Sequence, residues 1–294
     1  MDLTIRRNCD NILKMSASHK KKNSAYVLNI RSSLQKVRRG SITLSSLVKK
    51  SVKNQYRRSV LGILWTVLNP LLNMLVMTFV FSSIFGRDGI EMDYPVYVLS
   101  GNIVFSLVSA ATTNAMTSIV GNYDLLYKTR VPYSVFPLSQ VFTQVVNFMF
   151  SLVALVIVML IRIPSGVTFH WSMFMILLPW LPAILLFTIG LSYLLCTIYV
   201  RFRDIKHIWS VVVRLWMYLT PVFYSLSALD LGDTAMQIMR LNPMLHYLNY
   251  FRDVIIGSVP GWEAHAICYG VGIGFFAIGW LLFRLSRNRF ILNI

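Results

Sequence analysis

The chain has 294 residues, 56% of them hydrophobic and only 13% charged, with a formal net charge of +17. Soluble domains carry about a quarter charged residues, so this composition excludes an ordinary water-facing fold and points to a membrane protein. The basic excess does not indicate nucleic acid either, because fifteen of the 28 Lys and Arg lie in residues 1–60, ahead of the first long apolar run.

Residues 1–40 are polar and basic without clear periodicity and read as a mobile cytosolic segment. They hold no apolar core of signal-peptide type, so no cleaved leader is expected. Over 41–60, Leu44, Leu47, Val48, Val52 and Tyr56 share one helical face, interrupted by Lys49, Lys50, Lys53, Arg57 and Arg58. An apolar stripe with a basic flank is the pattern of an amphipathic interface helix in the headgroup layer, with Ser41 or Thr43 as its cap. The plainer alternative is a basic anchor that only orients the first span.

An α-helix needs roughly 20 apolar residues to cross the hydrocarbon core. Six segments qualify, at 61–85, 95–120, 136–161, 173–199, 207–225 and 265–283. The expected fold is therefore an all-α membrane protein with six transmembrane helices, occupying 61–284 and followed by a tail at 285–294. With the N-terminus inside, 23 of the Lys and Arg fall on the cytosolic side, against Arg87, Arg162, Arg240 and Arg252 on the other. Seven of the eleven acids also fall outside. The positive-inside bias thus places both termini in the cytosol.

In the first span Gly62, Thr66, Asn69 and Asn73 share a face, with Trp65 beside it. Pro70 removes one helical hydrogen bond and frees the carbonyl of Thr66. Either Asn69 satisfies that carbonyl and the kink is structural, or the face lines a water-filled path where amides are tolerated. The second span repeats the theme: Asn102, Ser106, Ser109, Thr113 and Thr117 lie in a narrow arc opposite Val104, Val108, Ala111 and Ala115. Such a stripe serves close helix packing or a hydrated pathway. Between spans two and three, NYDLLYKTRVP is expected to form one or two helical turns from Asn122 to Pro132.

Arg214 is the one charge within an expected span, among Trp209, Trp216, Tyr218, Phe223 and Tyr224. It would snorkel, pair with a carbonyl or meet an anionic group such as a lipid-linked phosphate. The aromatics read as an interfacial belt or as stacking surfaces for sugars. Residues 226–264 are semi-apolar and too short to span twice, which suggests re-entrant helices on the outer side.

Several chemistries are missing from the sequence. No Gly-Lys dipeptide occurs, so no P-loop can be written. The five histidines lack zinc spacing, the three cysteines (Cys9, Cys196, Cys268) form no framework, and no expected span holds an Asp or Glu. Neither a catalytic constellation nor a metal site is expected.

These pieces, in this order from about Leu47 to the C-terminus, resemble the permease subunit of ABC-type polysaccharide exporters, which move O-antigens, capsules and teichoic acids. YRRSVLGILWTVLNPLL resembles the family's entry into its first span, and LLYKTRVPYSVFPLSQV its first cytosolic loop, with Lys128, Pro132 and Pro137 in place. VRFRDIKHIW, LTPVFYSLSAL and LNPMLHYLNYFRDVI resemble the next loop, the fifth span and the outer re-entrant helices. The basic stretch before residue 40 and Arg214 depart from the pattern. The resemblance implies a bacterial cytoplasmic (inner) membrane protein that pairs with a second copy. It also implies a separate ATP-binding subunit that carries ATP and Mg, with no cofactor in this chain. Loop 121–134 would be the coupling element, with Tyr123, Asp124, Leu125, Leu126, Tyr127, Lys128 and Thr129 meeting the ATPase. Tyr56, Arg57 and Arg58 would shape a cytosolic gate for an undecaprenyl-linked glycan. Trp65, Asn69, Asn73, Asn102, Ser106, Arg214, Trp216, Tyr218 and Tyr224 would line the substrate path, and residues 226–257 an outer gate. Two other readings stand beside it. One keeps the fold with a drug or simple lipid as cargo. The other is a membrane-embedded glycosyl- or acyltransferase, whose acids would come from Asp88–Asp93 or Asp230–Asp233.

Overall fold

The structure, a computed structural model, describes residues 40–55, 61–62, 64–84, 92–128, 131–173, 175–226 and 232–286. It divides into two units, residues 1–46 and residues 47–294. Of the first, residues 40–46 are described; they are helical, and Ser46 Oγ donates to the carbonyl of Ile42 at 2.9 Å. All that follows concerns the second unit. The basic segment before residue 40, the expected gate residues Tyr56, Arg57 and Arg58, Thr129 of the coupling loop and the tail beyond Ser286 lie outside the described residues.

Among the described residues the secondary structure is helical, with no strand. Helix α1 covers 40–55; within the second unit its Leu47 is buried, Val48 and Val52 are half-buried, and Lys49, Lys50 and Lys53 are exposed. There follow α2 (Leu64–Ile84), α3 (Tyr94–Thr117), α4 (Tyr123–Lys128), α5 (Val135–Ile161), α6 (Leu181–Arg201), α7 (Ile205–Leu219), α8 (Asp233–Arg240), α9 (Pro243–Ile256) and α10 (Trp262–Ser286). Five described segments are long and apolar enough to cross a membrane: Leu64–Phe81, Tyr94–Thr117, Val135–Ile161, Trp171–Arg201 and Trp262–Ser286.

The fifth expected span, 207–225, takes a different form. Helix α7 has 15 residues, about 22 Å at 1.5 Å per residue, against the roughly 30 Å of hydrocarbon. Pro221 is the physical reason, because its ring disfavours the helical region for the residue before it. Thr220 accordingly turns to an extended conformation (φ −101°, ψ 129°), and an irregular turn runs through 220–226.

Irregular backbone in apolar surroundings leaves carbonyls that must find donors. Here the donors come from distant side chains. Tyr94 Oη donates to the carbonyl of Phe223 at 2.8 Å and Tyr97 Oη to that of Tyr224 at 2.7 Å. Arg252 of α9 supplies the rest: Nη1 reaches the carbonyl of Pro221 at 2.8 Å, and Nη2 reaches those of Val222 and Tyr97 at 3.0 and 3.2 Å. Its guanidinium lies over the Tyr97 ring, 3.5 Å from the centroid. Arg252 is only 5% exposed, and its partners are carbonyls and a π face, with no carboxylate among them.

Helix α3 is the central element, packed against α5, α6, α9 and α2, while α10 lies along α6. Lipid tails are as apolar as leucine, so helices within a bilayer associate by close packing more than by burial from water. The α6–α10 contact follows that rule: a Cβ added at Gly279 would strike the backbone of Gly190, and one added at Gly190 would strike that of Phe275 and Phe276. Below it, Trp180 stacks against Phe148 and tilts against Phe251. Its Nε1 donates to the carbonyl of Tyr247 at 2.9 Å, while Tyr247 Oη donates to that of Cys268 at 2.7 Å. Helix α9 is buried along Met244, Leu245, Tyr247, Leu248, Phe251 and Val254. It starts at Asn242, whose side chain accepts from the Met244 N–H, and stops at left-handed Gly257 (φ 104°), where the His170 ring leaves no room for a Cβ.

Candidate functional site

Several polar side chains of the long apolar helices converge on one place. Gln55 at the end of α1, Asn69 and Asn73 of α2, Asn102 and Ser106 of α3, and Asn147 and Ser151 of α5 line a cavity of about 210 Å³, with Trp65 at its edge. Pro70 also lines it, and because proline has no N–H it cannot donate to the carbonyl of Thr66 one turn back. The α2 helix nevertheless continues through Pro70 to Ile84.

The α3 stripe faces this open side. Ser106 is exposed and Asn102, Ser109 and Thr113 half-exposed, whereas Val104, Val108, Ala111 and Ala115 opposite are fully buried. Within the cavity Asn147 Nδ2 donates to Gln144 Oε1 at 2.9 Å and to Gln55 Oε1 at 3.4 Å. Ser106 Oγ donates to Asn102 Oδ1 at 3.5 Å. The side-chain amides of Asn69 and Asn73 are exposed and make no hydrogen bond with the described residues. No described lining residue is ionisable.

Five residues placed on the path by sequence (Trp65, Asn69, Asn73, Asn102 and Ser106) therefore meet, and four do not join them. Arg214 is exposed on α7. Trp216 is a packing residue: its ring meets Phe105, Phe187 and Trp209 edge-on, and its Nε1 donates to Asn242 Oδ1 at 2.8 Å. Tyr218 is exposed, and its carbonyl accepts from Tyr224 Oη at 2.7 Å. Beside them lies an apolar groove of about 430 Å³, lined by Phe187, Leu191, Trp209, Leu215, Trp216 and Phe275.

Sequence reasoning passed over Gln55, Asn147 and Ser151. A signal existed, since Gln144, Asn147 and Ser151 fall at i, i+3 and i+7 and so share one face of α5. Arg252 was counted as an outer charge; nothing local announces that it is buried against Tyr97, 155 residues away.

Between α3 and α5 the chain passes a 3₁₀ turn at Val120–Asn122 and the six-residue α4. Tyr123 and Asp124 are exposed there, and Leu125 and Leu126 half-buried. At the other end of the bundle Arg162 makes a bidentate ion pair with Asp93, Nη2 to Oδ2 at 2.6 Å and Nε to both oxygens at 3.1 Å. Those hydrogen bonds hold the Arg162 guanidinium above its ordinary range. Asp93 is thereby committed to structure, and among the described residues no cluster of His, Cys, Asp and Glu fit for a metal occurs.

The ABC-2 type transporter family matches this chain over residues 43–256. The O-antigen export system permease protein RfbA of Myxococcus xanthus is 35% identical over 215 residues, 72% of this chain and 79% of that protein. RfbA of Klebsiella pneumoniae is 26% identical over 83% of this chain and 92% of its own length. The capsule polysaccharide export inner-membrane protein CtrC of Neisseria meningitidis is 26% identical over 75% of this chain and 82% of its own. These relatives are transport permeases, and with a match that runs across both the amide cavity and the α4 loop, the chain belongs to the ABC-2 type transporter family.

Proposed function

We propose that the chain is the membrane subunit of an exporter that moves a lipid-linked polysaccharide, of O-antigen or capsule type, across the bacterial cytoplasmic membrane. The observation that carries this reading is the amide cavity. Helices that could have been wholly apolar expose Asn69, Asn73, Asn102 and Ser106 on one side, at a cost that only a hydrated or hydroxyl-bearing path repays. Relatives with names of O-antigen and capsule export support the cargo class.

In this reading two copies form the canal and a separate chain binds and hydrolyses ATP with Mg. The exposed Tyr123 and Asp124 of α4 take its push, α1 lies at the cytosolic interface, and α8 and α9 dip in from outside as a gate. Helix α7 and the 220–226 turn together complete a sixth crossing, and both termini are cytosolic. The apolar groove beside Trp216 favours a second reading, in which the same fold carries a simple lipid. The deciding experiment deletes the gene in its own host and follows surface glycan and ATP turnover of the purified complex. Cytosolic accumulation of lipid-linked glycan, restored by the wild-type chain only together with an ATPase, is expected. Unchanged glycan export with loss of a lipid from the outer leaflet overturns the proposal in favour of the second reading.

A further inference from the structure

We infer that the amide cavity is a subsite for one uncharged pyranose unit, and that it makes the exporter selective for neutral over anionic repeat units. The inference rests on the proposed glycan export and adds to it the class of sugar. The cavity of about 210 Å³ has the room of about seven waters at roughly 30 Å³ each, which is the scale of a single sugar ring. Its polar atoms are amides and hydroxyls: Gln55, Asn69, Asn73, Asn102 and Asn147, with Ser106 and Ser151. An amide presents both donors and acceptors, and a sugar hydroxyl also does both, so the two match without any charge. Two of these amides, Asn69 and Asn73, stand one helical turn apart with no hydrogen bond to the described residues, while Asn147 is held by Gln144. The exposed face of Trp65 at the edge supplies an apolar surface of the kind a pyranose ring lays its C–H face upon.

Among the described residues, the lack of charge in the lining is the discriminating feature. A carboxylate or phosphate brought between membrane helices loses water and requires a cation or several aimed N–H groups in exchange. The described lining holds no Lys, Arg or His. Arg214, which would serve that purpose, is on α7 and does not line the cavity, and Arg252 is spent on the carbonyls of Pro221, Val222 and Tyr97. Neutral hydroxyls fit the described lining; acidic sugars find no cation in it.

The test is saturation-transfer difference NMR on the full chain in lipid nanodiscs. Two probes of equal length are compared, neutral maltotetraose and tetragalacturonate. Transfer to maltotetraose with at least fivefold less to tetragalacturonate is expected. Asn69→Leu and Asn73→Leu should each reduce the maltotetraose signal severalfold, and Asn73→Lys should reverse the preference. Asn73→Ala serves if a leucine variant fails to give a monodisperse particle. Equal or stronger transfer to tetragalacturonate overturns the inference, as does transfer to neither probe or a maltotetraose signal indifferent to every variant. ATP-dependent export of an acidic glycan would sink this inference alone, whereas loss of the exporter reading leaves the nanodisc result standing or falling by itself.

Discussion

Two arginines divide the chemistry that a sequence treats as one class. Arg162 pairs with Asp93 where its side chain is still 34% exposed, so water already screens the attraction and the pair contributes less than about 1 kcal/mol. Arg252 is buried without a carboxylate among its described partners, and it holds three carbonyls of irregular or helical backbone. Removing it strips the carbonyl of Val222 of its donor at about 1–3 kcal/mol. It also takes one donor from the carbonyls of Pro221 and Tyr97, which accept from Tyr97 Oη and Ser100 Oγ as well, and loses the packing over the Tyr97 ring. Arg252→Leu is therefore expected to destabilise the purified protein by about 3 kcal/mol or more, Arg252→Lys by less, and Asp93→Asn by under 1 kcal/mol. Thermal unfolding in detergent, followed by intrinsic fluorescence, ranks the three; a loss for Asp93→Asn as large as that for Arg252→Leu contradicts this assignment. The burial of Arg252 was not legible beforehand, because its partners Tyr97, Pro221 and Val222 come from two other parts of the chain.

At the scale of elements, the α6–α10 contact depends on two glycines meeting backbone to backbone. Gly279→Leu forces the helices apart and is expected to abolish accumulation of folded protein in the membrane, whereas Gly274→Leu, with open space where its Cβ would stand, is tolerated. Comparing monodisperse yield on size exclusion separates them; equal yields would mean that the close crossing is not what joins the helices. The small helix α4 has a different liability, since its Tyr123 and Asp124 are exposed. Replacing both with alanine is expected to leave folding intact and to cut glycan-stimulated ATP turnover of the complex at least fivefold, with basal turnover less affected. Hydropathy alone located the five long helices, because twenty apolar residues leave few other folds. It overran at 207–225, where composition continues apolar through Pro221 but the backbone cannot remain helical. The amide faces of α2 and α3 were readable as periodicity, and the face of α5 was equally periodic but thinner. What periodicity does not contain is which faces turn toward one another, and that separated Trp216 from the cavity.

Across the whole molecule, charge and geometry make one joint statement about direction. Arg201, Arg203 and Lys206 gather where α6 gives way to α7, and Lys128 ends α4. Asp93 with Arg162 falls at the opposite ends of α3 and α5, and the acidic first turn of α8 at Asp233 follows the 220–226 turn in the chain. If Lys206 and Asp233 face different compartments, as the proposed topology has it, an odd number of crossings lies between them, and among the described residues α7 with its turn is the one segment there. In the proposed topology the short α7 carries the chain across with the help of 220–226, whose carbonyls are served by Tyr94, Tyr97 and Arg252 in place of a helix's own N–H groups. Cysteine labelling examines this directly. Cys196 and Cys268 are buried, so with Cys9→Ser a background of low reactivity is expected. In intact spheroplasts a membrane-impermeant maleimide should label Asp233→Cys and leave Lys206→Cys unmodified until the membrane is opened. Labelling of both from the same side would mean that α7 returns to the face it left, and the chain would then cross five times with its ends in different compartments.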